Sequence, residues 1–247
     1  PPPYKPLIVA IAAGFACSGF AFLNGGGIIQ VIAVFFAAFL GQVFRGLLMK
    51  RRYNHFGVWM LSAAVAAVSY MLLIMAYEAT FDITPLHRGG VVASILFLVP
   101  GVPMVTAVVE IVREDFGAAV QRIAYALSLI LAAGVALWLV TSLFEWSLAS
   151  TPPPPMAMHD LVLWRFVASV AGALGFAIIF KTPFKACLWA GAIGAVVNTV
   201  RLTVVGLGVP GALATALAAI IIGLAAAWGA SYTQYSRVSL SVPGAVI

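Results

Sequence analysis

The chain alternates long apolar stretches with short polar ones, and the apolar stretches have the length of bilayer crossings. At about 20 residues per crossing, spans fall near 7–23, 28–49, 57–77, 89–111, 117–144, 160–180, 186–206 and 209–230. A ninth begins around Val238 and is cut off at Ile247. One span is interrupted: Val99-Pro100-Gly101-Val102-Pro103 lies in the middle of the apolar run Gly90 to Val109. Two prolines and a glycine remove backbone donors and interrupt the ladder, so a broken helix is predicted there. Val242-Pro243-Gly244 repeats the core of that motif. Val209-Pro210-Gly211 does so too, but where a span begins, and proline is ordinary at that place.

The polar residues carry orientation and symmetry. If the eight spans alternate, Lys5, Lys50-Arg51-Arg52, Arg113, Lys181, Lys185 and Arg237 share one side, and only Arg88 clearly falls on the other. Basic loops favour the cytoplasmic side, which places the N-terminus in the cytoplasm. Gly19-Phe20-Ala21 recurs as Gly175-Phe176-Ala177, and at the same offset Gln42-Val43-Phe44-Arg45 returns as Asn198-Thr199-Val200-Arg201. With five spans in the first copy, the second starts from the opposite side. That is an inverted-topology repeat of five-helix halves, a construction suited to alternating access. The division predicted is a first membrane half at 1–145, an external linker at 146–159 and a second half at 160–247. The linker holds Pro152 to Pro155, which favour stiff polyproline II. The second half has three spans plus the start of a broken fourth.

Composition fixes the class. Hydrophobic residues are 64% of 247 and charged residues 8%, against roughly 25% charged in a soluble domain. An all-α polytopic membrane protein is expected. The net charge of +6 invites a nucleic-acid partner, but the basic residues lie in short loops where topology accounts for them. Cys17 and Cys187 fall inside apolar spans, where buried thiols are ordinary. His55, His87 and His159 are scattered in loops without ligand spacing, so neither a metal site nor a cofactor is expected. An intramembrane serine protease would need a serine with a buried histidine, and a metalloenzyme would need clustered ligands. The chain reads as no enzyme. No initiator methionine or signal-peptide n-region precedes Pro1, which reads as a start inside a longer chain.

These residues resemble the threonine/serine exporter family. In the first half the resemblance is carried by Ala13-Gly14-Phe15-Ala16, Gly25-Gly26-Gly27, Leu98 to Pro103, and Thr106 to Gly117 with Glu110 at the acidic position of the broken helix. In the second it is carried by Leu174 to Phe180, Pro183 and Asn198 to Arg201. The resemblance implies a fused two-half exporter of small amino acids of the threonine/serine type in the bacterial inner membrane. Split members of the family imply the alternative of a dicarboxylate such as succinate. It also implies an extramembranous N-terminal region and a second broken helix that this chain holds only in part. A structural subunit of a larger membrane complex and a passive channel are the remaining readings.

No Asp, Glu, Lys or Arg lies at the centre of any predicted span. Arg45, Arg122, Arg165 and Arg201 sit near span ends, where long side chains snorkel. The candidate substrate site is therefore built from helix ends freed at Pro100, Gly101 and Pro103 and at Pro243 and Gly244, which can hold a carboxylate without a buried full charge. A simple packing kink is the plainer alternative. Gln42 with Arg45, and Asn198 with Arg201, each share one helix face, so an arginine could grip a carboxylate while an amide orients it. Arg45 could equally anchor the basic end beside Lys50, whereas topology does not explain Arg201. Glu110 is the candidate for a coupling proton, against the alternative of an interfacial pair with Arg113. The partners expected are a small carboxylate-bearing solute, protons, membrane lipid and a second copy of the chain, with no nucleic acid.

Overall fold

The computed structural model describes residues 4–81, 89–146, 148, 156–232, 240, 241 and 244. Among them the regular structure is helical: α1 (Pro6–Leu23), α2 (Ile28–Lys50), α3 (His55–Phe81), α4 (Gly90–Ser94), a 3₁₀ turn (Leu96–Leu98), α5 (Gly101–Val112), α6 (Phe116–Leu143), α7 (Met158–Ile179), α8 (Phe184–Gly206) and α9 (Gly211–Tyr232). Seven of these helices are long and apolar enough to cross a membrane; α4 with the 3₁₀ turn and α5, bent by 63°, is apolar enough as a pair to form a broken span or a re-entrant loop. The crossings match the spans expected from hydropathy within a few residues. Of the ninth expected span only residues 240, 241 and 244 are described, and Pro152 to Pro155, His87, Arg88, Arg237 and Pro243 lie outside the described residues.

Local chemistry sets the helix ends. Pro6 stands in the first turn of α1, where its missing N–H costs nothing. Asp115 caps α6 by accepting from the Ala118 N–H at 3.1 Å. The Asn54 side chain accepts from the Phe56 N–H at 2.9 Å where α3 begins. In the sequence of packing, α2 lies between α1 and α3, α6 covers α3 and α5, and α8 lies between α7 and α9. α4 and the 3₁₀ turn insert among α1, α2 and α3, while α5 leans on α6. The first-half core is mostly small, with Ala13, Ala37, Ala63 and Ala67 wholly buried around Tyr70, Met71 and Phe97. Small core residues let backbones approach where lipid gives helices no hydrophobic reason to associate.

α1 and α7 join the two parts of the chain, and their contact is reciprocal. A Cβ on Gly19 would lie 2.6 Å from the Ala168 carbonyl oxygen, and one on Gly175 would lie 2.6 Å from the Ala12 carbonyl oxygen. The separation between residues 19 and 175 equals that between 12 and 168, namely 156 positions. Each glycine therefore meets the counterpart of the residue that meets the other, as at a two-fold interface. The same shift of 156 carries Leu23, the end of α1, onto Ile179, the end of α7. It also carries α2 (28–50) onto α8 (184–206), and the start of α3 (55) onto the start of α9 (211).

The turns follow the same shift but differ in residue type. Gly25 (φ 86°) corresponds to Lys181 (φ 59°), and Gly208 (φ 99°) corresponds to Arg52 (φ 55°). All four stand just past a helix end in the left-handed region, which costs a non-glycine residue roughly 1–2 kcal/mol. Glycine occupies one end of the bundle, and a cation occupies the same turn at the other. Tyr4 belongs to that basic end, where its Oη donates to the Thr182 carbonyl oxygen at 2.7 Å.

Candidate functional site

The broken helix is held open by its own sequence and by one tryptophan. Val99 is extended (φ −60°, ψ 122°) and Pro100 caps α5 with ψ 61°. The Leu98 carbonyl, left over where the 3₁₀ turn stops, accepts from Trp59 Nε1 at 2.8 Å. At the start of α5, Pro103 has no N–H, the Gly101 N–H bonds the Val99 carbonyl at 2.9 Å and the Met104 N–H bonds the Pro100 carbonyl at 3.2 Å. Of the first four residues, Val102 alone can offer its N–H to a ligand. The break thus presents fewer donors than an ordinary helix N-terminus, because its prolines remove or occupy them.

Trp59 serves a second group. The Arg45 guanidinium lies over its ring, 4.0 Å from the centroid, a contact worth about 0.5–2 kcal/mol. Arg45 Nη1 donates to Gln42 Oε1 at 3.2 Å, and its Nε is buried without a hydrogen-bond partner. Arg45, Trp59 and the break at Val99, Pro100, Gly101 and Pro103 line one recess of about 160 Å³, together with Tyr125 and Phe180. Gln42 orients Arg45 but is not part of that wall. The recess lies toward the basic end, since Arg45 is one turn and a residue short of the end of α2.

The second amide–arginine pair forms its own recess, of about 390 Å³, toward the opposite end. Asn198 Oδ1 accepts from Arg201 Nε at 3.0 Å and from Nη2 at 2.7 Å, and Arg201 Nη1 donates to Thr215 Oγ1 at 3.3 Å. Asn198 Nδ2 donates to the buried Ser169 hydroxyl at 2.9 Å. Asn24 completes the polar part of the wall, and Gly244 also lines it. Gly244 reaches it by packing on α8, where a Cβ on Gly194 would lie 2.8 Å from the Gly244 Cα. The break around Pro100 and the glycine of the second motif were expected to share one mid-membrane site. They line two separate recesses instead, each with its own arginine.

Glu110 does not pair with Arg113. It faces α6 and makes a salt bridge with Arg122 Nε at 2.6 Å, because the 63° bend sends α5 along α6. The Glu110 side chain is 16% exposed and that of Arg122 48%, so water reaches the pair. Arg165, expected to snorkel, donates to the Leu202 carbonyl at 3.1 Å and ties α7 to α8. No cluster of metal-ligating side chains occurs among the described residues. Trp59, Thr215 and Asn24 are not singled out by the sequence, which reads Arg122 only as a snorkelling side chain. The signal that could have found Thr215 was the repeat offset, which carries Trp59 onto it.

A bundle of apolar crossings with one broken helix and two arginine-bearing recesses is the build of a membrane transporter, and the protein is an integral membrane protein. The chain belongs to the threonine/serine exporter family: the family model ThrE matches residues 1–144, and a second, described as Threonine/Serine exporter, ThrE, matches residues 165–247. It is a transporter family and not an enzyme family. The chain is similar to the probable succinate transporter subunit YjjP of Escherichia coli (strain K12), 33% identical over 146 residues, which is 59% of this chain and 54% of the relative. The corresponding subunit of Klebsiella aerogenes is 27% identical over 147 residues, with the same coverage. The chain thus spans about half the length of these curated relatives. No solved structure matches it.

Proposed function

We propose that the protein is a secondary transporter that exports small amino acids of the threonine/serine type across the bacterial inner membrane, in exchange for protons. The observation that carries the reading is that matches to both exporter models occur in one polypeptide, whose parts meet through α1 and α7. The reading takes residues 1–145 and 160–247 as two membrane halves in inverted repeat, joined by an external linker at 146–159. The reciprocal contacts of Gly19 and Gly175 support it. The basic end faces the cytoplasm in this reading. Arg52 and Lys181 support that orientation, since they keep their charge in a left-handed turn where the related turns carry glycine.

The solute carboxylate is taken at the arginine–amide pairs, Arg45 with Gln42 beside Pro100, Gly101 and Pro103 in one half, and Arg201 with Asn198 beside Gly244 in the other. Glu110 carries the proton: protonated it is neutral and leaves Arg122, and on releasing the proton to water its carboxylate pairs with the Arg122 guanidinium again. Export of a dicarboxylate is the second reading, favoured by the relatives named as succinate transporter subunits. Association with a second copy is in keeping with the word subunit in those names.

Counterflow in proteoliposomes preloaded with threonine, serine or succinate tests the proposal. The expected result is exchange of threonine and serine, with succinate exchange alone selecting the second reading. Glu110→Gln should abolish accumulation driven by a proton gradient and leave exchange intact. Absence of counterflow for all three solutes overturns the proposal. Proton-driven accumulation by Glu110→Gln at the native level removes Glu110 from coupling.

A further inference from the structure

The two recesses correspond at four lining positions under the 156-position shift. Arg45 maps onto Arg201, Trp59 onto Thr215, Ile179 onto Leu23 and Phe180 onto Asn24, counting the last two pairs backwards. Each recess takes its arginine from one half and is edged by the last residues of the first helix of the other half. The correspondence is in position and not in chemistry. Where the recess at the basic end has Trp59 and Phe180, the other has Thr215 and Asn24. The volumes follow: about 160 Å³ with the aromatic pair and about 390 Å³ with the polar pair.

The polar pair suits a ligand. Thr215 Oγ1 lies 3.3 Å from Arg201 Nη1, so a carboxylate at the guanidinium meets a hydroxyl donor beside it. Asn24 Nδ2 donates to the Phe20 carbonyl at 2.8 Å, which leaves its Oδ1 as an acceptor. Among the described residues no acidic side chain lines the recess. The aromatic pair does the opposite. Trp59 occupies its N–H with Leu98 and its ring face with Arg45, so the guanidinium is covered and the recess is narrowed.

We infer that Arg201, Asn24 and Thr215 form the binding recess for a carboxylate-bearing solute at the lysine-poor end, and that the recess at Arg45 is its collapsed counterpart, held shut by Trp59. This rests on the transporter reading. Movement along the α1–α7 contact widens one recess as it narrows the other, because each helix end edges the recess of the opposite half. Trp59 is the latch and Thr215 is a solute contact.

The experiment uses the full chain in proteoliposomes with threonine and succinate as separate probes. Thr215→Val should raise the half-saturation concentration about fivefold at unchanged maximal rate, the loss of roughly one hydroxyl hydrogen bond. Thr215→Trp should lower exchange by roughly tenfold or more, because it installs the filling residue of the other recess. Trp59→Thr should leave affinity from the lysine-poor side unchanged and lower the accumulation ratio, since the unlatched recess leaks. A Thr215→Cys variant lacking Cys17 and Cys187 should react with a charged thiol reagent from the lysine-poor side and not from the basic side. Native exchange by Thr215→Trp overturns the assignment, and so does absence of labelling from the lysine-poor side. If the unmodified protein exchanges neither probe, the transport reading falls, while labelling still decides whether the recess opens to that side.

Discussion

Replacing Pro100, Gly101 and Pro103 together by alanine should leave the protein inserted in the membrane and abolish solute exchange. Alanine is the best helix former, whereas each interior proline opposes a continuous helix by about 3 kcal/mol. The triple change is needed because Pro103, left alone in a continuous helix, would still clash with the carbonyl four residues earlier, at Val99. A continuous helix would straighten the 63° bend. It would also draw the Leu98 carbonyl away from Trp59 Nε1 and lift α5 from α6, separating Glu110 from Arg122. Stability in detergent should hold or rise, since backbone groups at membrane depth become paired within the helix. Counterflow, which needs no proton gradient, is the measurement. Exchange at the native rate by the triple variant would show the break to be a packing kink, and the recess at Arg45 would lose its part in transport.

The second large effect is expected at the seam between the halves. Gly19→Ala and Gly175→Ala each place a methyl group 2.6 Å from a backbone carbonyl oxygen of the facing helix. Backbone cannot turn aside as a side chain can, so α1 and α7 must separate. Overpacking of this kind costs about 1–3 kcal/mol per site. The double variant should cost more than either single change but less than their sum, since one separation of α1 from α7 relieves both clashes. Thermal unfolding in detergent should fall for each single variant and further for the double, with exchange lost first. Gly134→Ala and Gly223→Ala are the controls: a Cβ at either meets nothing within 4 Å, and they should be neutral or slightly stabilising. Equal melting of the double variant and the native protein would remove the glycine contact as the reason the halves meet there.

Much of this was legible in the residues. The crossings followed from hydropathy because a bilayer demands about 20 apolar residues per helix, and loops cannot supply them. The interruption at Pro100 was legible because proline and glycine act on their own backbone and need no neighbours to do so. The amide–arginine pairs were legible for a similar reason, since residues three apart on a helix meet whatever surrounds them. Gln42 with Arg45, and Asn198 with Arg201, both make that bond.

Contacts between helices were not legible in this way. Sequence proximity offers Arg113 as the alternative partner of Glu110, but the bend aims the carboxylate at Arg122, twelve residues on and on another helix. The two proline-glycine motifs were joined into one site because their sequences match, yet Gly244 packs on α8 and Pro100 beside Trp59. In a soluble protein, apolar periodicity tells which face of a helix turns inward. Here lipid and core are both apolar, so the outward face of α6 carries Leu131 and Trp138 as freely as the inner face carries Leu129. By itself the sequence determined the class, the crossings, the break and the local pairs, each fixed by the chain's own backbone or by the bilayer. The tertiary structure alone decided that α1 meets α7, that Arg45 and Arg201 line two separate recesses, and that Trp59 and Thr215 occupy equivalent places in them. Those depend on which surfaces of similar helices touch, and apolar side chains do not encode that choice in any short stretch of chain.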